Sequence, residues 1–125
     1  MKIISFSWTT PAVKARRKSV TRRDWDRGYA HTFQKGELVQ AYDRSPRFGG
    51  KRFGMIGILE KPYVESTDQI PDSDWEAEGF AYLEGIGATM NGMTPRRLWD
   101  MWHLKPSFQW VVRFEIIEIF QDIRS

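Results

Sequence analysis

The clearest strand in this chain is Phe108 to Ile119, and a strand of that length sets what the rest must do. Phe108, Trp110, Val112, Phe114 and Ile116 alternate with Gln109, Val111, Arg113 and Glu115. That is the period of two that a pleated strand imposes on its side chains. At Ile116-Ile117 the alternation slips by one, which predicts a bulge or a twist. A strand cannot satisfy its own backbone, so other segments have to pair with it.

The candidates for that pairing are short. Ile3 to Trp8 alternates as a strand with Ile4, Phe6 and Trp8 on one side. Thr9 or Thr10 can then cap a short helix with Pro11 in its first turn. Ser19 to Trp25 reads as a strand. After the turn signal Lys35-Gly36, Glu37 to Asp43 reads as another, with Leu38, Gln40 and Tyr42 facing one way and Val39 and Ala41 the other. Arg44 to Arg52 holds Pro46, Gly49, Gly50 and four cations, and reads as a mobile basic loop. Phe53 to Glu60 is the next strand. Its Gly54 and Gly57 predict a bend or a close backbone approach, as at a barrel corner. Lys61-Pro62 closes it at an edge.

Ser73-Asp74-Trp75-Glu76 fits a capping box opening a helix that runs to about Leu83. Gly85 to Gly92 is a flexible connector. Thr94-Pro95 starts a second helix, with Leu98, Met101 and Trp102 at helical spacing, and Lys105-Pro106 ends it. The order is strand, helix, three strands, two helices, strand. It predicts an α+β fold, a small closed or partly closed mixed β-barrel with flanking helices.

The length of 125 residues suits one domain across 1–125. There are no cysteines, which excludes disulfides, thiolate catalysis and Cys-based zinc sites. Only His31 and His103 offer imidazoles, so a metal site would have to rely on carboxylates; no metal and no cofactor are expected. No segment has transmembrane length, and the apolar run Ile3–Trp8 is too short for a signal peptide. A soluble, cytoplasmic protein without a membrane partner is the expectation. Six Trp and eight Phe supply a core and a stacking surface. Charge is divided unevenly. Residues 1–62 carry 14 Lys and Arg against 5 Asp and Glu, and residues 63–125 carry 5 against 11. Either one half attracts anions, or the two halves pack together and neutralise each other.

Arg16-Arg17-Lys18-Ser19-Val20-Thr21-Arg22-Arg23 concentrates the positive charge. Cations at this density repel one another, and the usual reason to hold them together is an anion such as phosphate. Lys18 among four arginines is either a solvated surface lysine or an amine whose pKa is lowered enough to act as base or nucleophile. Thr21 is either a β-branched strand residue or a hydroxyl placed to hold a phosphate oxygen or an oxyanion. In a regular strand Thr21 and Arg23 share a face and Lys18 does not. All three can line one pocket only if Lys18 precedes the strand, at the helix end. Glu78 lies between Trp75 and Tyr82 on a helical stripe; it is either a surface glutamate or a carboxylate that meets a cation or acts as acid or base. Arg17, Arg22, Arg23, Arg47, Lys51 and Arg52 are candidates to grip phosphates, and Trp8 to stack a base.

At these residues the chain resembles the ASCH domain family of the PUA-like superfamily. The resemblance runs through the Pro11 helix, Arg17–Arg23, Lys35–Val39, Glu76–Phe80 and Phe108–Ile119, nearly the whole chain. It implies a PUA-like β-barrel with a cleft between barrel and helices, binding RNA or a modified nucleoside or nucleotide. One branch of the family hydrolyses N4-acetylcytidine with a Lys, a Thr and a Glu, which would correspond to Lys18, Thr21 and Glu78. Another member is similar to a ribonuclease. The basic loop Arg44–Arg52 and the Trp-rich helix Arg96–His103 depart from the small amidohydrolase branch and could reshape the pocket. The chain is therefore expected to be an RNA- or nucleotide-binding domain with a basic cleft, the alternative being an amidohydrolase of N4-acylated cytidines.

Overall fold

The computed structural model describes residues 1–121. Residues 122–125, included in the expectation of one domain, lie outside that range. Six strands form one curled sheet: β1 (Ile3–Ser5), β2 (Val20–Arg23), β3 (Leu38–Tyr42), β4 (Arg52–Ile58), β5 (Tyr63–Ser66) and β6 (Phe108–Ile119). Their order is β1-β3-β4-β6-β2, with β5 also on β6. β1 runs parallel to β3, and the other pairs are antiparallel.

β6 is the spine. Its later half pairs with β4, from Phe114 opposite Ile58 to Ile119 opposite Gly54. Its earlier half lies between β5 and β2, so that Val111 faces both Tyr63 and Arg22. The slip at Ile116-Ile117 is a bulge: Ile116 pairs with Ile56 and Glu118 with Met55, leaving Ile117 between them. Gly54 permits the tight approach there, since a Cβ on it would stand 2.5 Å from the Glu118 carbonyl oxygen. β1 and β2 end the path without a ladder between them, so the sheet is a half-barrel with an open seam.

Inside the curl Ile4, Phe6, Phe33, Ile56, Val112 and Phe114 form the main core. Five short helices surround the sheet: α1 (Thr10–Lys14), α2 (Arg27–Ala30), α3 (Asp74–Ala77), α4 (Phe80–Gly85) and α5 (Pro95–Leu104). Four of these elements meet in a second, aromatic cluster around Ala12, Phe80, Leu83 and Trp99, with Trp8, Trp75 and Trp102 at its margin. None of the described helices is long and apolar enough to cross a membrane.

The structure departs from the sequence pattern in several places. β1 stops at Ser5, because Ser7 takes a left-handed φ of 48°. Phe6 therefore enters the barrel core, while Trp8 turns to the helical cluster and stacks on Phe80. α2 and β5 have four residues each and no sustained period, so nothing in the pattern marks them. The helix expected from Ser73 to Leu83 is broken in two at Gly79, whose φ is +85°. The capping box does not form: Ser73 makes no side-chain cap bond, and Glu76 pairs with Arg17 instead. Arg44–Arg52, expected as a basic loop, forms the closed tip of a hairpin. Gly50 N–H donates to Ser45 O, Lys51 N–H to the Asp43 carboxylate and Asp43 N–H to Lys51 O.

Gly79 brings α1 against the break, because a Cβ there would lie 2.6 Å from Ala12 Cβ and 3.2 Å from Lys18 Cβ. Gly79→Ala combines a left-handed backbone with overpacking, and the expected cost is about 2–4 kcal/mol by urea unfolding. A loss below about 1 kcal/mol would show that α1 yields freely.

Candidate functional site

Lys18 stands between α1 and β2, at the junction that the strand geometry required. It is buried, as are Thr21, Arg22 and Glu78. The pleat of β2 then sorts its side chains. Thr21 and Arg23 lie opposite Val112 and Trp110 and turn toward the barrel interior. Val20 and Arg22 lie opposite Arg113 and Val111 and turn toward α3.

On the α3 side the charges form a chain, buried at Lys18, Arg22, Asp74 and Glu78 and half-buried at Glu65 and Arg113. Glu78, at the C-terminal end of α3, accepts from Lys18 Nζ twice, at its backbone oxygen (2.8 Å) and at Oε1 (2.9 Å). Arg22 Nη1 donates to Glu78 Oε2 (2.6 Å), and Nη2 donates to Asp74 Oδ2 (2.6 Å) and Glu65 Oε1 (2.8 Å). Arg113 closes the far end with two bonds to Asp74 and one from Nε to the Tyr63 hydroxyl. Lys18, Arg22 and Arg113 thus meet Glu78, Asp74 and Glu65, three charges of each sign. This is where the basic first half and the acidic second half neutralise each other.

Burial pulls the Lys18 pKa below the ordinary lysine value; Glu78 opposes the shift, and Arg23 and Arg22 add to it. Burial opposes ionisation of Asp74 as well, but its bonds to Arg113 and Arg22 outweigh that and hold its carboxyl below the usual range. The Asp74 bond holds the Arg113 guanidinium above its ordinary value.

On the other side lies a cavity of about 200 Å³. Its polar wall is Ser5, Ser7, Thr9, Lys18, Thr21, Arg22, Arg23 and Glu78. Its apolar wall is Phe6, Trp8, Phe80, Leu98 and Trp102. Arg23 donates from Nε to Thr21 Oγ1 (3.0 Å) and from Nη2 to Ser5 O (2.8 Å). It makes no salt bridge among the described residues, and burial lowers its pKa. The cavity therefore carries one guanidinium without a direct carboxylate partner, with the field of Glu78 to offset it, beside a balanced ion network.

The structure thus brings Lys18, Thr21, Arg22, Arg23, Glu78 and Trp8 around one space. Arg17 lies outside it, exposed and paired with Glu76. Arg47, Lys51 and Arg52 are exposed on the β3–β4 hairpin and do not line it. Arg52 donates to Gln40 and lies over the Phe120 ring. Asp74, Arg113, Leu98 and Trp102 belong to the site but are not among the candidate site residues that the sequence pattern marks, although the Trp-rich helix that carries Leu98 and Trp102 does reach the pocket. Arg113 carried a signal, since it stands among Val111, Val112 and Phe114, all fully buried, and an arginine there needs a partner. Among the described residues no group of His, Asp and Glu has a geometry that would hold a metal.

No protein-family model matches the sequence, and no curated protein matches it. The fold is similar to that of a solved structure, protein EF3133 from Enterococcus faecalis V583, of the family DUF984. The match covers 99% of this chain and 84% of that one at a TM-score of 0.56, with 12% identity. At that identity the likeness fixes the fold, and the chain is accordingly a small α+β half-barrel with flanking helices.

Proposed function

We propose that the chain is an ASCH-like, PUA-like domain whose cavity is the active site of an amidohydrolase acting on an N4-acylated cytidine-type substrate. The carrying observation is the convergence of Lys18, Thr21 and Glu78, distant in sequence, on one cavity walled by Trp8 and Trp102. A space of about 200 Å³ accepts a planar base and a small acyl group. Aromatic faces suit the base, and hydrogen-bonding groups suit the amide.

The lysine geometry supports a base role. A neutral amine has two N–H bonds and one lone pair. In the deprotonated form of Lys18 the two bonds to Glu78 take both N–H groups, and the lone pair is left for the cavity. It accepts a proton from water as the water oxygen bonds to the acyl carbon. The resulting oxyanion is held by Thr21 Oγ–H. The C–N bond then breaks, and the proton on Lys18 passes to the departing exocyclic nitrogen. The products are a carboxylic acid and the free cytosine amine, with atoms and charge in balance. Glu78 orients Lys18 in this scheme, because both of its carboxylate oxygens are already bonded.

RNA or nucleotide binding without chemistry is the second reading, favoured by Arg47 and Lys51, exposed on the hairpin tip. One pair of measurements separates the two. Incubation with N4-acetylcytidine should release cytidine and acetate in equal amounts. Release no faster than with the heat-unfolded protein removes the amidohydrolase. Retention of single-stranded RNA that falls steeply between low and moderate salt would then support binding.

A further inference from the structure

We propose that Arg23 is a positioning residue that turns the Thr21 hydroxyl so that its proton is offered to whatever occupies the cavity, and so favours ligands with an acceptor oxygen at that wall.

A hydroxyl can donate once and accept twice, whereas a guanidinium has no acceptor. The bond of 3.0 Å between Arg23 Nε and Thr21 Oγ1 therefore has only one direction: Thr21 accepts. Its own proton is left over, and no acceptor for it exists among the described residues. Thr21 is only 4% exposed, and what it borders is the cavity. The O–H is then an unmet donor held ready for a ligand.

Arg23 itself is fixed at several points. Nη2 donates to Ser5 O at 2.8 Å, and the guanidinium lies 5.6 Å from the Phe6 ring centre. Ser5 ends β1 and Arg23 ends β2, the two strands with no ladder between them. One planar side chain spans the seam and sets the Thr21 hydroxyl at the same time. No carboxylate forms a salt bridge with it among the described residues, and its bond to Oγ1 polarises the hydroxyl and strengthens the donor. The branched Cβ of Thr21 restricts χ1 and keeps the oxygen in place. A carbonyl or carboxylate oxygen is matched by this wall. An ammonium group at the same position has no acceptor for the hydroxyl and meets a cation, and is disfavoured.

The kinetic test rests on the amidohydrolase reading; a binding test does not. Arg23→Lys keeps the charge, but one ammonium cannot span both Ser5 O and Thr21 Oγ1. Thr21→Val should lower kcat roughly 10²–10³-fold, the loss typical of one oxyanion donor, with KM little changed. Arg23→Lys should lower kcat about ten-fold, and adding it to Thr21→Val should cost nothing more, because the group it positions is gone. Losses that multiply in the double variant, or an Arg23→Lys kcat within two-fold of wild type, overturn the proposal. Should the wild type turn over no N4-acetylcytidine, titration with sodium acetate decides instead. Acetate should then shift the amide resonances of Thr21 and Arg23; Thr21→Val should weaken its binding, Arg23→Lys should weaken it less, and the double variant should bind no more weakly than Thr21→Val alone. No acetate binding, or binding unchanged in Arg23→Lys, overturns the proposal on this arm.

Discussion

Arg22→Met is expected to cost about 3–5 kcal/mol of stability in urea unfolding at pH 7, the range for stripping one partner from a buried ionic cluster. Arg22 touches Glu78, Asp74 and Glu65 together. Methionine fills much of its volume but leaves three carboxylates facing each other with only Lys18 and Arg113 to answer them. The loss is of charge balance, since Met can still pack against the sheet. The same change predicts a reversed pH response. Crowded carboxylates have folded pKa values above their unfolded ones, so the folded variant binds protons first as pH falls. The variant should therefore gain stability from pH 7 toward pH 5, whereas wild type, whose Asp74 is held below the usual range, gains none from it in that window. The arginine does not contribute its full potential even in wild type, because its buried Nε has no partner. A loss of less than about 1 kcal/mol would mean that the carboxylates reach water or take up protons without strain.

Lys18→Met is expected to lower kcat on N4-acetylcytidine about 10²–10⁴-fold, the contribution of a positioned general base. The side chain is buried and the methionine stem is isosteric with most of it, so the barrel should persist. Glu78 keeps its Arg22 partner in the variant. The pH profile provides the sharper readout. A neutral amine is needed, so the wild-type rate should rise with pH through the Lys18 pKa, which burial places below the ordinary value of 10.5. The variant should lose that rise along with the rate. Stability has a matching sign. Between the folded and unfolded pKa values the unfolded chain binds more protons at this lysine, so wild-type stability rises with pH there, and Met removes that slope. A variant with wild-type kcat, or with the same rise in its profile, would leave Lys18 no catalytic part.

Long period-two patterns carried the fold well. The alternation of β6 and its slip at Ile117 translate directly into a strand with a bulge, and Val39 and Ala41 point inward as their phase requires. Short elements were not readable, because four residues cannot establish a period, and β5 and α2 are held by tertiary pairing instead. The break at Gly79 was hidden for a different reason. A glycine inside a helical stretch reads as a weak helix position, and only the packing of Ala12 against it makes it a stop. In the site, the strand parity of Thr21 and Arg23 and the junction position of Lys18 followed from the basic motif. The role of Arg22 as a hub did not. Its partners come from α3 and β5, more than forty residues away, and nothing local in the motif distinguishes an arginine facing carboxylates from one facing phosphate.

The placement of β6 has a consequence for how the protein comes into being. β6 pairs with β2, β4 and β5 but is synthesised after all of them. While the chain is still being made, β2 has no neighbour, and the lysine, threonine and arginines it carries or follows have no framework. Closing the sheet needs contacts across some ninety residues, such as Val20 with Arg113, which is slow relative to forming a helix. The ribosome must therefore release Phe108–Ile119 from its exit tunnel before any cavity exists. Until then β4, already paired with β3 on one side, shows an unpaired apolar edge on the other that chaperones can hold.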